Sequence, residues 1–80
     1  MNLEIITPEK NVFNGEVDSI ILPGKNGQFQ VLKDHAPMVS TLKTGDLVYE
    51  IGNKKETIVV DGGVLQVFNN KVLVLAEAVV

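Results

Sequence analysis

The chain contains no cysteine, no tryptophan and no arginine, and only one histidine among its 80 residues. Without cysteine there can be no disulfide, no thiol nucleophile and no zinc site with sulfur ligands. A single histidine, His35, is too few for a histidine-rich metal site. These absences exclude several classes of enzyme and leave no indication of a redox function.

Basic residues are also scarce, because seven lysines face ten acidic residues and give a net charge of −3. A protein that binds nucleic acid usually carries a basic patch, often with arginine for bidentate contacts. No apolar run approaches the roughly 18 residues needed to cross a membrane. The N-terminus lacks the basic start and apolar run of a signal peptide. We therefore expect no nucleic-acid partner and no direct membrane insertion.

Apolar residues make up 45% of the chain, and most of them are aliphatic. At 80 residues the chain is long enough for one domain. Apolar positions never recur at helical spacing over ten residues, whereas short apolar runs alternate with turn signals. This pattern predicts an all-β fold, a flattened antiparallel β-sandwich or barrel of about ten short strands with no substantial helix.

Turn residues predict where these strands meet. Asn14-Gly15 lies between the apolar runs Asn11–Phe13 and Glu16–Leu22, and Asn-Gly is a strong hairpin signal. Asn69-Asn70 lies between two later runs and predicts a second hairpin. In 16–22 the apolar residues do not alternate, which predicts a strand buried on both sides or a bulge.

The stretch from Pro23 to Val39 combines turn residues, a short strand and the only histidine. Gln28–Leu32 reads as a strand with Phe29 and Val31 on one face. The polar loop Lys33–Pro37 follows, and an apolar segment resumes at Met38. A polar loop between two strands suits an exposed contact site on a rigid scaffold.

Catalytic chemistry is not expected from these residues. Asp34 and His35 are adjacent, and neighbouring side chains on an extended chain point to opposite sides. Ser40 lacks a nucleophile context such as Gly-x-Ser-x-Gly. We predict no catalytic residue, no metal and no cofactor. Two classes stay open: a lipoyl or biotinyl carrier domain with Lys54 or Lys55 on a hairpin, or an interaction subunit of a larger assembly.

Three motifs carry a resemblance to a known family. They are Ile6-Thr7-Pro8-Glu9-Lys10-x-Val12-Phe13-x-Gly15-Glu16-Val17, then Pro23-Gly24-x-x-Gly27-x-Phe29-x-Val31-Leu32-x-x-His35-Ala36-Pro37, and Gly62-Gly63-x-Leu65-x-Val67 with Asn70-Lys71-Val72-x-Val74-Leu75-Ala76. In this order they resemble the epsilon subunit of F-type ATP synthase, over essentially the whole chain.

The resemblance implies a non-catalytic rotor subunit of the central stalk. Such a subunit joins the gamma subunit to the membrane c-ring and so couples proton- or sodium-driven rotation to ATP synthesis. It implies a peripheral location at the cytoplasmic face of a bacterial inner membrane. The alternative of an unrelated carrier or interaction module is less well matched, because Gly-Asn-Lys-Lys-Glu lacks the Asp-Lys-Ala or Met-Lys-Met sequence that carrier ligases read.

Individual contact residues follow from the resemblance alone. It implies that one set of positions lies against the gamma subunit: Thr7, His35, Met38 and Ser40. It implies that a second set faces the c-ring loops: Gln28, Lys33 and Asp34. The sequence departs from the family at two places, since the family usually has Pro-Gly at Lys33-Asp34 and often an acid at Gln28.

The last departure concerns the end of the chain. The family normally continues past the Leu-Ala-Glu position with two regulatory helices, whereas this sequence stops at Val80. We therefore expect residues 1–80 to form a single epsilon-type β-sandwich domain. We expect no C-terminal helical domain, no self-inhibition by such helices and no ATP site on them.

Overall fold

The computed structural model describes all residues from 1 to 80 and contains nine strands and no helix. No helix that could span a membrane is present. The strands follow one another with short connections, as the spacing of the turn signals predicts. Their bounds are β1 Asn2–Ile6, β2 Asn11–Glu16, β3 Ser19–Gly24, β4 Gly27–Leu32, β5 Met38–Leu42, β6 Gly45–Ile51, β7 Lys54–Val60, β8 Gly63–Phe68 and β9 Lys71–Ala76.

All nine strands belong to one curled sheet with the order β2-β1-β9-β8-β5-β3-β6-β7, and β4 pairs with β3 outside this path. The sheet wraps around its own core and measures 26 × 23 × 20 Å. This confirms the all-β prediction, with nine strands instead of about ten.

One pair of strands is parallel, which the antiparallel prediction does not include. β1 runs alongside β9, from Asn2 opposite Lys71 to Ile6 opposite Leu75. Antiparallel neighbours can be joined by a short hairpin, whereas a parallel pair needs a long connection. Here the rest of the domain is that connection, because β1 and β9 are the first and last strands.

The core is formed by side chains that alternate along the strands and point to the concave side of the sheet. Leu3 and Ile5 on β1 and Val31 on β4 are fully buried, as their alternation predicts. Fifteen buried apolar side chains make one cluster: Leu3, Ile5, Val17, Ile20, Leu22, Val31, Leu42, Leu47, Tyr49, Val60, Leu65, Val67, Val72, Val74 and Ala76.

The hairpin predicted at Asn14-Gly15 is wrong. Both residues lie inside β2, where Asn14 is opposite Glu4 and Gly15 is opposite Leu3. Neither has a positive φ, which a type I′ turn would require. The chain breaks instead at Val17-Asp18, so β2 ends at Glu16 and the next strand begins at Ser19. The run 16–22 therefore spans two strands, and the break shifts the buried positions from Val17 to Ile20 and Leu22, while Ile21 between them is half-buried.

The hairpin predicted at Asn69-Asn70 is confirmed. Asn69 has φ 50° and Asn70 has φ 61°, as the two central residues of a type I′ turn require. The loop from Lys33 to Pro37 is also confirmed, because β4 ends at Leu32 and the next strand begins at Met38.

Candidate interaction surfaces

The loop before β5 is tied to the turn between β8 and β9. Asp34 has φ 64°, and its backbone N–H donates to Oδ1 of Asn70 at 2.9 Å. The backbone N–H of His35 donates to the carbonyl of Leu32 at 3.1 Å. The half-buried ring of His35 donates from Nδ1 to the carbonyl of Ala36 at 2.7 Å. These bonds hold the loop in place. They use Nδ1 of the His35 ring and do not involve its other nitrogen, Nε2.

The residues predicted to face the c-ring are not neighbours. Gln28 is opposite Pro23 at the start of β4, whereas Leu32, at the far end of β4, is opposite Ser19. Five residues of extended chain separate Gln28 from Lys33, which is roughly 17 Å. Lys33 and Asp34 therefore lie at the opposite end of β4 from Gln28, and the contact of all three with a ring stays a prediction.

Gln28 instead lies near Ser40, a residue predicted for the other partner. Both line an open cleft of about 510 Å³ between the β3–β4 hairpin and β5. The hairpin is held against β5 by a bond from the N–H of Lys25 to the carbonyl of Thr41, at 3.0 Å. One predicted contact residue from each set thus meets in this cleft.

Thr7 follows β1 and has only 9% of its surface exposed. Its Oγ1 donates to the carbonyl of Lys10 at 3.2 Å and accepts from the N–H of Lys10 at 3.3 Å. The hydroxyl therefore closes the connection between β1 and β2. A partner would therefore contact the exposed residues of this connection and not the Thr7 hydroxyl.

Met38 and Ser40 are half-buried, because buried Leu42 fixes the phase of β5 and places alternate residues on the same side. Met38 packs against the core cluster. Met38 is therefore only partly available to a partner, and its contact with gamma stays a prediction. The residue between them, Val39, faces outward and is 72% exposed.

Val39 belongs to a wider group of outward-facing apolar side chains on four neighbouring strands. Val39 is opposite Gln66, which is opposite Leu73. In the next row Thr41 is opposite Val64, which is opposite Leu75 and then Ile6. We call this surface the apolar face; it comprises Ile6, Val39, Val64, Phe68, Leu73 and Leu75.

Four of its members are strongly exposed for apolar residues: Val39 at 72%, Phe68 at 57%, Leu75 at 47% and Val64 at 41%. Four strands spaced about 4.8 Å apart and about five residues long present roughly 300 Å². The apolar side chains share this area with Gln66, Thr41, Glu4 and Lys71, and an apolar patch of a few hundred Å² on a folded domain often serves an interaction.

The charges on the apolar face are paired with each other. Nζ of Lys71 lies 3.9 Å from Oε1 of Glu4. This pair is opposite Phe68 and Leu73, respectively, in the strand register. A partner that covers the face would therefore not have to bury a lone charge.

Two residues predicted to contact gamma flank the apolar face. Thr7 and Pro8 line a shallow concavity of about 340 Å³ together with Ile6 and Leu75. The His35 loop precedes β5 at the other side, where Asp34 is bonded to Asn70. Sequence reasoning missed the face between them, although one signal was available. The run 72–75 is apolar at every position, as expected for a strand covered on both sides.

The fold and its surfaces define a small all-β domain whose distinctive feature is an exposed group of apolar side chains on one sheet face. A family model described as ATP synthase, Delta/Epsilon chain, beta-sandwich domain matches residues 1–80. The chain belongs to this family. Membership confirms the prediction of a non-catalytic subunit and argues against a lipoyl or biotinyl carrier domain.

Curated relatives carry the name ATP synthase epsilon chain. The chain is 45% identical over 78 residues to one from Chlorobaculum tepidum, covering 96% of this chain and 89% of the relative. It is 43% identical over 75 residues to one from Desulforamulus reducens, covering 94% of this chain and 57% of the relative. The chain thus spans most of some relatives and little more than half of others.

Solved structures of ATP synthases contain chains with the same fold. A chain in the Euglena gracilis mitochondrial ATP synthase, in a structure of OSCP, F1 and c-ring, superposes with a TM-score of 0.91 at 27% identity, covering 98% of this chain and 51% of that one. A chain in the central stalk and c-ring of the Tetrahymena thermophila enzyme gives 0.86 at 16% identity, covering 100% and 65%, and shows the fold alone.

Proposed function

We propose that this chain is a rotor subunit of an F-type ATP synthase, joining the gamma subunit to the c-ring so that ion-driven rotation reaches the catalytic sites. It performs no chemistry itself and works at the cytoplasmic face of a bacterial inner membrane as a peripheral part of the complex. Family membership over the whole chain supports the general role. The apolar face is the observation that best supports a contact with gamma.

The gamma subunit is the occupant that best fits the apolar face. The predicted gamma positions Thr7 and His35 lie at two of its margins, so one partner can touch both while covering the apolar side chains between them. The Chlorobaculum tepidum relative extends little beyond the matched domain, since 89% of it is covered. Further helices of the same chain therefore cannot cover the apolar face in every relative, whereas a partner chain can.

On β5, Val39 is the residue that contacts gamma directly. Met38 and Ser40 lie on the opposite side of the strand. Met38 supports Val39 by packing on the core, and Ser40 lies toward the cleft beside Gln28. Exposed aromatic and aliphatic side chains near the centre of an interface usually account for most of its affinity. We therefore expect Val39 and Phe68 to be the main anchors.

The c-ring contact is assigned to Gln28 and the tip of the β3–β4 hairpin. This tip carries Lys25 and Asn26, both exposed, and Lys43 lies next to it through a 2.9 Å bond from its N–H to the carbonyl of Pro23. Such a tip can hydrogen-bond to polar loops while the ammonium groups of its lysines stay in contact with water. Lys33 and Asp34, at the other end of β4, would meet the ring only if β4 lay flat along it.

Binding to the gamma subunit tests this proposal. Gamma from the same source is titrated with the wild-type chain, Val39→Glu and Phe68→Glu, and the affinities are measured by calorimetry. A carboxylate buried in an apolar contact without a partner should weaken binding by about tenfold or more. Met38→Glu is less informative, because it would place the charge against the core.

Gln30→Glu is the matched control, since Gln30 is an exposed strand residue on β4, outside the apolar face. It adds the same charge and should leave the affinity for gamma unchanged. If the folded wild type does not bind gamma at micromolar concentration, the rotor function is rejected. If it binds and Val39→Glu and Phe68→Glu bind equally well, the function stands and the apolar face is the wrong surface.

A further inference from the structure

The chain contains two Asn-Gly pairs, Asn14-Gly15 and Asn26-Gly27, which the fold places in opposite environments. In such a pair the backbone nitrogen of glycine can attack Cγ of the asparagine side chain. The new N–C bond closes a succinimide ring, the side-chain nitrogen leaves as ammonia and the glycine N–H proton is lost. Water then opens the ring to give aspartate or isoaspartate.

Ring closure needs a side-chain amide that can rotate and a backbone that can leave its extended form. Asn14-Gly15 meets neither condition, because both residues are paired with β1. Oδ1 of Asn14 accepts a hydrogen bond from Nδ2 of Asn2 at 3.3 Å, and the same Nδ2 donates to the carbonyl of Gly15 at 3.5 Å. The Phe13 ring also packs beside Gly15, with Cζ 3.1 Å from where a Cβ would lie.

Asn26-Gly27 comes much closer to both conditions, because only its glycine is paired, with Gly24 at the end of the β3–β4 hairpin. Asn26 lies in the exposed turn between β3 and β4, and none of the side-chain hydrogen bonds in the structure involves it. Gly27 has φ +130°, and no atom lies within 4 Å of the position of a Cβ on it. The turn can therefore change its backbone angles, and can accept the extra main-chain carbon of isoaspartate, by opening only the Gly24–Gly27 pair that closes it.

We propose that Asn26 is a modification site at which the folded protein converts its own amide to a carboxylate through a succinimide. The new carboxylate lies next to Lys25 and two residues from Gln28. It therefore puts a negative charge on the hairpin tip as the protein ages. The inference depends on the local structure alone and holds whether or not this tip faces a c-ring.

Peptide mapping of the aged protein tests the site. The folded 80-residue chain is incubated at physiological temperature in mildly alkaline buffer, and mass spectrometry measures aspartate and isoaspartate at each asparagine. Asn26 should convert faster than Asn14 by about tenfold or more, because Asn14 reacts only when the β1–β2 ladder opens locally. In denaturing urea the two rates should become similar.

The variant Asn26→Gln provides the control, since a longer side chain closes the ring poorly and the turn can accept it. In the folded state this variant should accumulate almost no acidic form. Equal rates at Asn14 and Asn26 in the folded protein would overturn the proposal. So would a stable amide at Asn26 in the folded protein under conditions where urea makes it convert.

Discussion

At the scale of single residues, Asp34 shows how a backbone conformation limits the side chains that a position accepts. Its φ of 64° lies in the left-handed region, which costs most residues free energy and favours glycine, asparagine and aspartate. The family usually has glycine at this position, and the observed φ is consistent with that preference. Asn70 completes the arrangement by accepting the Asp34 N–H.

Tyr49 makes stability sensitive to alkaline pH. Burial raises the pKa of Tyr49 above its usual 10.0, and the negative charge of Glu56 raises it further. The unfolded chain therefore releases the tyrosine proton at a lower pH than the folded protein does. The free energy of unfolding should fall as pH rises above about 10 toward the folded-state pKa, and should not depend on this group at lower pH.

Urea denaturation of the wild type and of Tyr49→Phe at a series of pH values measures this effect. The variant retains the ring that packs against Phe13, with centroids 4.5 Å apart. All other ionisable groups are the same in both proteins, so the difference between them isolates Tyr49. Identical decline above pH 10 in both would contradict the prediction.

At the scale of strands, the first position of β8, opposite the last residue of β9, requires glycine. Gly63 has φ +136°, and a Cβ there would collide with the carbonyl oxygen of Leu75 and approach Cα of Ala76 to 2.8 Å. Both contacts are main-chain atoms of the paired strand, which cannot move aside. We expect Gly63→Ala to cost roughly 3 kcal/mol or more, or to prevent folding.

Gly52→Ala is the comparison that separates crowding from backbone conformation. Gly52 also has a positive φ, +61°, but no atom lies within 4 Å of a Cβ there. Its replacement should cost only about 1 kcal/mol, the penalty of the left-handed conformation. Thermal and urea denaturation of both variants measure the difference, and equal losses would show that the Leu75 carbonyl gives way.

The strands also show which structures local sequence can predict. Alternation correctly identified the inner side of β1 and β4, because a strand with one buried face repeats every second residue. The Asn14-Gly15 hairpin failed, because a turn preference of a few residues is weak beside the hydrogen bonds that β2 makes with β1. The Asn69-Asn70 hairpin succeeded, because the two strands that it joins pair directly with each other.

The apolar face could not be derived from any one strand. It exists because β5, β8, β9 and β1 are neighbours, and the order of strands in a sheet depends on contacts between distant parts of the chain. The uniformly apolar run in β9 pointed to burial on both sides. Only the register shows that Val64 and Ile6 lie beside its outer residues, with Val39 one strand further along the sheet.

At the scale of the whole molecule, the kind of surface predicts how binding should respond to salt. The apolar face has its charges paired internally, between Lys71 and Glu4. Binding of gamma there should bury apolar area and show a negative heat-capacity change. Its affinity should change little between low and physiological ionic strength, since few new ion pairs form. Calorimetry at several temperatures and salt concentrations tests this, and a steep loss of affinity with salt would indicate a charged interface instead.

The parallel pairing of β1 with β9 has a consequence for biosynthesis. On the ribosome, residues 2–6 are made first, yet the strand beside them is made only when the chain has reached 71–76. Until then Leu3 and Ile5 lack Val72 and Val74 on the adjacent strand, and the core stays open on that side. Contacts between distant parts of a chain form slowly. The domain should therefore complete its fold only after β9 has left the exit tunnel, and its first strand is exposed to chaperones or to mispairing until that moment.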